Sequence, residues 1–186
     1  MGKLVVTEFV SLDGVMEDPG GAEGYAHGGW TFQFDQGEGG AFKFEELKAS
    51  DAQLLGRRTY EGFAKAWPTM EGTGEFGEKM NAMSKFVVSS TLENPEWNNT
   101  TVLKGDLADE VGKLKQHFDG DILVAGSAQL VQSLLARDLV DELRLMVFPI
   151  VLGTGKRLFA DGAEPATLNL VETKQTGSVV ILTLRR

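Results

Sequence analysis

The sequence lacks cysteine, long apolar runs and an apolar N-terminal segment. Without cysteine, the 186-residue chain has neither disulfides nor a thiolate metal site, and we predict no metal site of any kind. No stretch approaches the length of a membrane span, and the N-terminus lacks the apolar region of an export signal. We therefore expect a cytoplasmic protein without membrane contact.

Positive charge is scarce as well. The 18 lysine and arginine residues are outnumbered by 27 aspartate and glutamate residues, which gives a net charge of −9. Nucleic-acid binding depends on basic side chains that neutralise phosphates, so the composition argues against a nucleic-acid partner. A small anionic ligand would instead need a local cluster of positive charge.

The residues that are present fit a globular domain. Apolar residues make up 42% of the chain, and its length suits one domain over residues 1–186. Apolar runs such as residues 4–10 alternate with amphipathic stretches, and residues 166–175 and 178–185 read as two strands joined by a tight turn. The pattern predicts an α/β three-layer sandwich, with a mixed, mainly parallel central sheet flanked by helices and a C-terminal antiparallel hairpin.

Residues 121–140 show the strand-to-helix pattern most clearly. Residues 122–125 are continuously apolar, as in a strand buried on both faces, and apolar residues at helical spacing follow from Leu130. Gly126 and Ser127 separate the two, so free backbone N–H groups and the helix dipole could bind a phosphate there. The alternative is an ordinary turn in which Ser127 only caps the helix.

Two more strand ends carry residues suited to a nucleotide. Arg57 and Arg58 follow the predicted strand 52–55, and arginine forks match phosphate oxygens and can select a 2′-phosphate. The alternative is two surface arginines that balance nearby glutamates. Ser89 and Ser90 end another strand, where hydroxyls either bind a ribose or phosphate or cap the next turn.

The first strand ends in an Asp13-Gly turn, and loops at strand ends line the ligand crevice of α/β sheets. Asp13 is therefore either a functional residue or a turn former. The glycine-rich residues 17–40 are irregular, as in a functional loop or lid. Its aromatic residues could stack on a flat heterocycle or cover the core, and we favour the core for Phe32 and Phe34.

Five segments in order resemble the dihydrofolate reductase superfamily, and within it the reductase domain of bacterial riboflavin biosynthesis. They are S-L-D-G after the first strand, L-L-G-R-R-T-Y-E, V-V-S-S-T, L-V-A-G-S-A-Q-L and P-I-V-L-G-T-G-K-R-L-F. The resemblance covers nearly the whole chain. It implies a dihydrofolate reductase-like fold and NADPH as the cofactor.

The resemblance also implies roles for residues at the strand ends. The predicted cofactor contacts are Gly56, Arg57, Arg58, Thr59, Ser89, Ser90, Gly126, Ser127, Ala128, Gln129 and Leu130. With the aromatic Trp30 added, the predicted substrate contacts are Asp13, Gly14, Trp30, Leu152, Gly153 and Gly155. Asp13 is the candidate catalytic residue, which would orient the substrate or relay a proton.

Three functions are compatible with these residues. The first is an NADPH-dependent reductase that transfers a hydride to a C=N or C=O group of a small pterin- or pyrimidine-like heterocycle. The second is the riboflavin-pathway 5-amino-6-(5-phosphoribosylamino)uracil reductase, and the third is a non-catalytic nucleotide-binding protein of the same fold. The family often pairs subunits, and the apolar strand 143–149 could form a homodimer interface or lie inside the sheet.

Overall fold

All eight strands of the protein form one continuous sheet in the computed structural model, which describes residues Met1–Arg186. The strands are β1 (Leu4–Ser11), β2 (Ser50–Gly56), β3 (Ser84–Val88), β4 (Thr100–Leu103), β5 (Asp121–Ala125), β6 (Glu142–Phe148), β7 (Asn169–Thr176) and β8 (Val179–Arg185). The helices are α1 (Gly39–Ala49), α2 (Arg57–Ala66), α3 (Gly74–Ala82), α4 (Leu107–His117) and α5 (Ala128–Ala136), with a 3₁₀ turn at Trp30–Gln33. Across the sheet, the strand order is β4-β3-β2-β5-β1-β6-β8-β7.

Strands β1 to β6 run parallel, and β8 pairs antiparallel with both β6 and β7. The central strands are apolar because helices cover both of their faces. The predicted α/β class, with a mainly parallel sheet and a C-terminal hairpin, is confirmed.

The side chains of β1 alternate between two helical layers. Leu4, Val6 and Val10 pack in one cluster with apolar residues of α4 and α5. Val5 packs in a second cluster with residues of α1, α2 and α3, and Thr7 bonds to α1 on that same side. This alternation produces the predicted three-layer sandwich and places every even-numbered residue of β1 toward α4 and α5.

Two predictions about individual segments are wrong, and the place of a third segment is now known. The hairpin begins at Asn169, not at residue 166, because pairing with β8 starts there. For the strand 143–149, β6 lies inside the sheet between β1 and β8, which was one of the two alternatives, and the homodimer stays a prediction. Phe32 is 74% exposed, because the short turn at Trp30–Gln33 buries only its other side, whereas Phe34 packs on the core as expected.

The structure contains neither a helix that could span a membrane nor a cluster of metal ligands. No helix combines the length and the apolar character that crossing a bilayer requires, and the longest helices have 11 residues. No group of three or more acidic or histidine side chains is arranged to hold a metal ion.

Candidate functional site

The parallel strands end at one edge of the sheet, which we call the C-terminal edge. It consists of the turns that follow Ser11, Gly56, Val88, Ala125 and Phe148. All the predicted site residues except Trp30 lie at the end of one of these strands, in the turn after it or at the start of the helix that follows. In open α/β sheets this edge is where ligands bind.

Ser127 joins the turns after β2 and β5. Its Oγ accepts the backbone N–H of Gly56 at 2.8 Å and donates to Thr59 Oγ1, also at 2.8 Å. Ser127 makes no capping hydrogen bond to α5, so the interpretation of this serine as a helix cap is wrong. The first-turn N–H groups of α5 therefore have no side-chain acceptor, which is the condition for an anion to bind there.

Gly126 brings these two turns into direct contact. Its φ is +67°, and a Cβ at this position would lie 2.9 Å from both Oγ1 and Cγ2 of Thr59.

We expect Gly126→Ala to lower the free energy of unfolding by about 1–3 kcal/mol, because alanine is strained at this φ and pushes α2 away from α5. Chemical unfolding measures the loss. Gly112→Ala is the control, since a Cβ on that α4 glycine meets nothing within 4 Å, and an equal loss in both variants would contradict the prediction.

Arg57 links the turn after β2 to the turn after β3. Its Nη1 donates to Thr91 Oγ1 at 2.6 Å, and its Nε pairs with Glu61 at 2.8 Å. The interpretation of an arginine that balances a glutamate therefore holds for Arg57. The neighbouring Arg58 is exposed and forms no salt bridge, so its guanidinium is free to meet a phosphate.

The turn after β3 is held by Ser89. Its Oγ accepts the backbone N–H groups of Thr91 at 3.2 Å and Leu92 at 3.0 Å. The Ser89 hydroxyl thus caps this turn, which was one of the two alternatives. Ser90 is exposed beside it at the C-terminal edge.

Asp13 joins the turns after β1 and β6. Its carboxylate accepts the Ser11 hydroxyl at 2.6 Å and the backbone N–H groups of Leu152 at 3.0 Å and Gly153 at 2.7 Å. The hydrogen bond from Ser11, followed by that from Leu152, lowers the pKa of Asp13 to about 2. The Asp13 carboxyl is therefore ionised at neutral pH and holds these two turns together, while its predicted role in orienting the substrate or relaying a proton stays a prediction.

Arg157 and Tyr25 also belong to this part of the edge. The Nη1 of Arg157 donates to the backbone carbonyl of Asp13, and its Nη2 lies 3.8 Å from the carboxylate. The Tyr25 hydroxyl donates to the carbonyl of Thr154 at 2.8 Å and so ties the glycine-rich loop to the turn after β6. Sequence reasoning missed both residues, because their partners lie more than 120 positions away.

Two predicted site residues have their side chains in the core. Trp30 is 3% exposed, its ring packs edge-on against Phe148 at 5.4 Å, and its Nε1 donates to the carbonyl of Glu17. The Trp30 ring therefore cannot stack on a ligand, and the prediction that it contacts substrate is wrong. The Leu130 side chain is buried against the sheet, so only its backbone can face the edge.

Glu8 is a site residue that sequence reasoning missed. The register pairs Thr7 with Ala125, the last residue of β5, so Glu8 comes level with Gly126. The side chain is 6% exposed, and its Oε1 is buried without a hydrogen-bond partner. Burial raises the pKa of Glu8 to about 8, so this carboxyl is neutral at pH 7. The signal in the sequence was a glutamate within an apolar run, V-V-T-E-F-V.

Comparison with known proteins agrees with this geometry. Residues 2–182 match the family described as the RibD C-terminal domain. The chain belongs to this family. It is 32% identical over 138 residues to the uncharacterized protein YyaP of Bacillus subtilis, a match that covers 73% of each chain.

Solved structures share the fold. A putative riboflavin biosynthesis protein from Shewanella sp. PV-4 superposes with a TM-score of 0.76 at 22% identity, over all of this chain and 99% of the other. RibD of Acinetobacter baumannii gives a TM-score of 0.69 at 18% identity, over all of this chain and 58% of the RibD chain. These likenesses confirm the dihydrofolate reductase-like fold that the sequence motifs implied.

Proposed function

We propose that the protein is an NADPH-dependent reductase that transfers a hydride to a C=N or C=O group of a small pterin- or pyrimidine-like heterocycle. The observation that carries this proposal is the direct bonding between three turns that are far apart in the chain. Ser127 bonds to Gly56 and Thr59, and Arg57 bonds to Thr91. Membership of the RibD C-terminal domain family supports reductase chemistry.

The residues of the C-terminal edge fit a doubly anionic dinucleotide. Arg58, with Arg57 beside it, would hold the 2′-phosphate, and the backbone N–H groups from Gly126 to Leu130 would receive the pyrophosphate. Ser90 would lie by the adenosine. Bound NADPH would supply the hydride, while the chain would bind the two reactants, orient them and exclude water. Asp13 would support this by fixing the turn after β6 against the turn after β1.

The proposal is tested by the affinities for NADPH and NADH, measured by calorimetry or fluorescence. We expect NADPH to bind at least about tenfold more tightly, because an arginine–phosphate contact contributes roughly 1.5–3 kcal/mol. Arg58→Ala should weaken NADPH binding about 10- to 100-fold and leave NADH binding unchanged. Arg137→Ala is the control, since Arg137 is an exposed arginine at the other end of α5.

Two results would contradict the proposal. One is the absence of NADPH binding at high micromolar concentration, and the other is equal affinity for the two dinucleotides. NADPH binding without oxidation against any pterin, pyrimidine or carbonyl compound would instead indicate a non-catalytic nucleotide-binding protein.

A more specific candidate is reduction of 5-amino-6-(5-phosphoribosylamino)uracil in riboflavin biosynthesis. The family match over residues 2–182 favours this candidate. Complementation of a strain that lacks the reductase distinguishes it from a reductase of another heterocycle: growth without riboflavin supports the pathway role, and failure of a well-expressed protein removes it.

A further inference from the structure

Glu8 has an unusual position for an acidic residue. It lies in β1 near the middle of the sheet, between β5 and β6, and its Oε1 has no hydrogen-bond partner. An isolated buried carboxylate is costly, and such a group stays protonated instead. The Glu8 carboxyl therefore stays neutral and carries a proton, and no group of the protein accepts a hydrogen bond from it.

The carboxyl faces the start of α5. The alternation of β1 places the Glu8 side chain on the same side as Val6 and Val10, toward α4 and α5. Burial raises the pKa of Glu8, and a hydrogen bond from the backbone N–H of Gly126 lowers it by a smaller amount. The carboxyl therefore lies next to this N–H. Glu8 thus lines the part of the C-terminal edge that follows the turn Gly126-Ser127.

The strand order defines which part of a dinucleotide would reach Glu8. Along the sheet, β3, β2, β5 and β1 follow one another at spacings of about 4.8 Å. A dinucleotide with its 2′-phosphate at Arg58, after β2, and its pyrophosphate at Gly126, after β5, continues toward β1. The nicotinamide half is therefore the part that comes to Glu8.

Burial is the largest influence on the Glu8 carboxyl, and the charges around it act in both directions. On α1, Lys43 favours the carboxylate, whereas Glu46 on the same helix opposes it. Glu23, in the glycine-rich loop, opposes it as well. No basic residue lies in α5. On β6, Arg144 precedes Leu145, the register partner of Glu8, but its guanidinium pairs with the carboxylates of Glu142, Asp121 and Glu46. Ionised Glu8 would also repel the pyrophosphate of a bound dinucleotide.

We propose that Glu8 is a cofactor-binding residue that acts in its protonated form, donating a hydrogen bond from its carboxyl to an oxygen of the nicotinamide half of the dinucleotide. Binding then requires the Glu8 proton, and loss of this proton weakens binding. The inference rests on the proposed NADPH-dependent function and adds a proton-dependent contact to it.

The test is the affinity for NADPH and NADH between pH 6 and pH 9.5, for the wild-type protein and for Glu8→Gln. For the wild type we expect constant affinity for NADH below about pH 7 and a fall that approaches about tenfold per pH unit above about pH 8. NADH is included because the 2′-phosphate of NADPH itself titrates near about pH 6. Glu8→Gln keeps a hydrogen-bond donor and cannot ionise. Its affinity for the dinucleotides should therefore lie within a few-fold of wild type at pH 7 and should not fall at alkaline pH.

Glu23→Gln is the matched control, because it removes a neighbouring carboxyl and should retain the fall. The inference is overturned if wild type shows no alkaline fall or if Glu8→Gln shows the same one. Dinucleotide binding that depends on Arg58 but not on pH would remove this inference and leave the proposed function intact. No dinucleotide binding at all would remove both.

A second measurement does not depend on the folding of a variant. Isotope-edited infrared spectroscopy of the wild-type protein should show a protonated carboxyl band at pH 7.5 that shifts when NADPH is added. A band that is absent, or that does not respond to NADPH, would overturn the inference.

Discussion

Lys85→Met should lower the free energy of unfolding by about 3 kcal/mol, although Lys85 lies outside the candidate site. The side chain is 0% exposed, and its Nζ donates to the carbonyl oxygens of Asn81 at 2.8 Å, Met83 at 2.9 Å and Asn98 at 3.0 Å. It also lies 4.2 Å from the centre of the Trp97 ring. The ammonium thus holds the end of α3 to the loop that precedes β4.

Methionine fills a similar volume but satisfies none of the three carbonyls. Each orphaned buried acceptor costs about 1–3 kcal/mol, and the cation–π contact with Trp97 is lost as well. In the wild-type protein, burial of the ammonium lowers the pKa of Lys85 to about 8 and costs some stability. The methionine variant avoids this cost, which offsets part of the loss. The balance is a net destabilisation.

Urea unfolding at pH 7 measures the difference. Lys48→Met is the control, because Lys48 forms an exposed ion pair with Glu45, and surface pairs of this kind contribute about 0–1 kcal/mol. If both variants lost the same small amount of unfolding free energy, the hydrogen bonds from Lys85 to the three carbonyls would not stabilise the fold.

The sheet and its C-terminal edge could be predicted because they follow from local pattern. Continuous apolar runs identify buried parallel strands, and a topological rule then brings their ends together. Residues 122–125 and the glycine at 126 were sufficient to place a strand, a turn and a helix. The same rule brought Arg57, Ser89 and Gly126 to one edge without any knowledge of their contacts.

The roles of single side chains could not be predicted in this way, because they depend on partners far along the chain. Ser127 was either a helix cap or part of a phosphate site, yet its hydroxyl bonds to Gly56, 71 positions away. Asp13 was correctly placed at a turn, but its N–H partners lie 139 and 140 positions further on. The largest influence on the Asp13 pKa is the hydroxyl of Ser11, only two positions away, but no local pattern reveals the two distant N–H donors.

Local patterns also mispredict the exposure of buried polar residues. Glu8 and Lys85 both lie in strands where a charged residue normally marks a solvent-facing position. Period-two alternation places Glu8 with Val6 and Val10, which pack in the core, and this was the available clue. Burial itself depends on helices that come from distant parts of the chain.

Glu8→Gln should make the ligand-free protein about 3–5 kcal/mol more stable at pH 8.5, with little difference near pH 4.5. Burial raises the pKa of Glu8 to about 8 in the folded protein, whereas an unfolded glutamate titrates near about 4.3. Between these values the folded chain holds a proton that the unfolded chain releases. Wild-type stability therefore falls as pH rises, by at most about 1.4 kcal/mol per pH unit, and levels off above about pH 8.

Glutamine carries no titrating proton, so the variant lacks this fall. Other shifted groups, such as Asp13, whose pKa is lowered to about 2, are common to both proteins and cancel in the difference between them. Urea unfolding at pH 4.5, 6.5 and 8.5 measures that difference. If it stayed constant with pH, Glu8 would be ionised in the folded protein at neutral pH, and the donor proposed for the dinucleotide would not exist. If the stability difference grows with pH, Glu8 is an acidic residue at the C-terminal edge that lowers the stability of the fold. Such a cost is expected of a residue that serves binding and not folding.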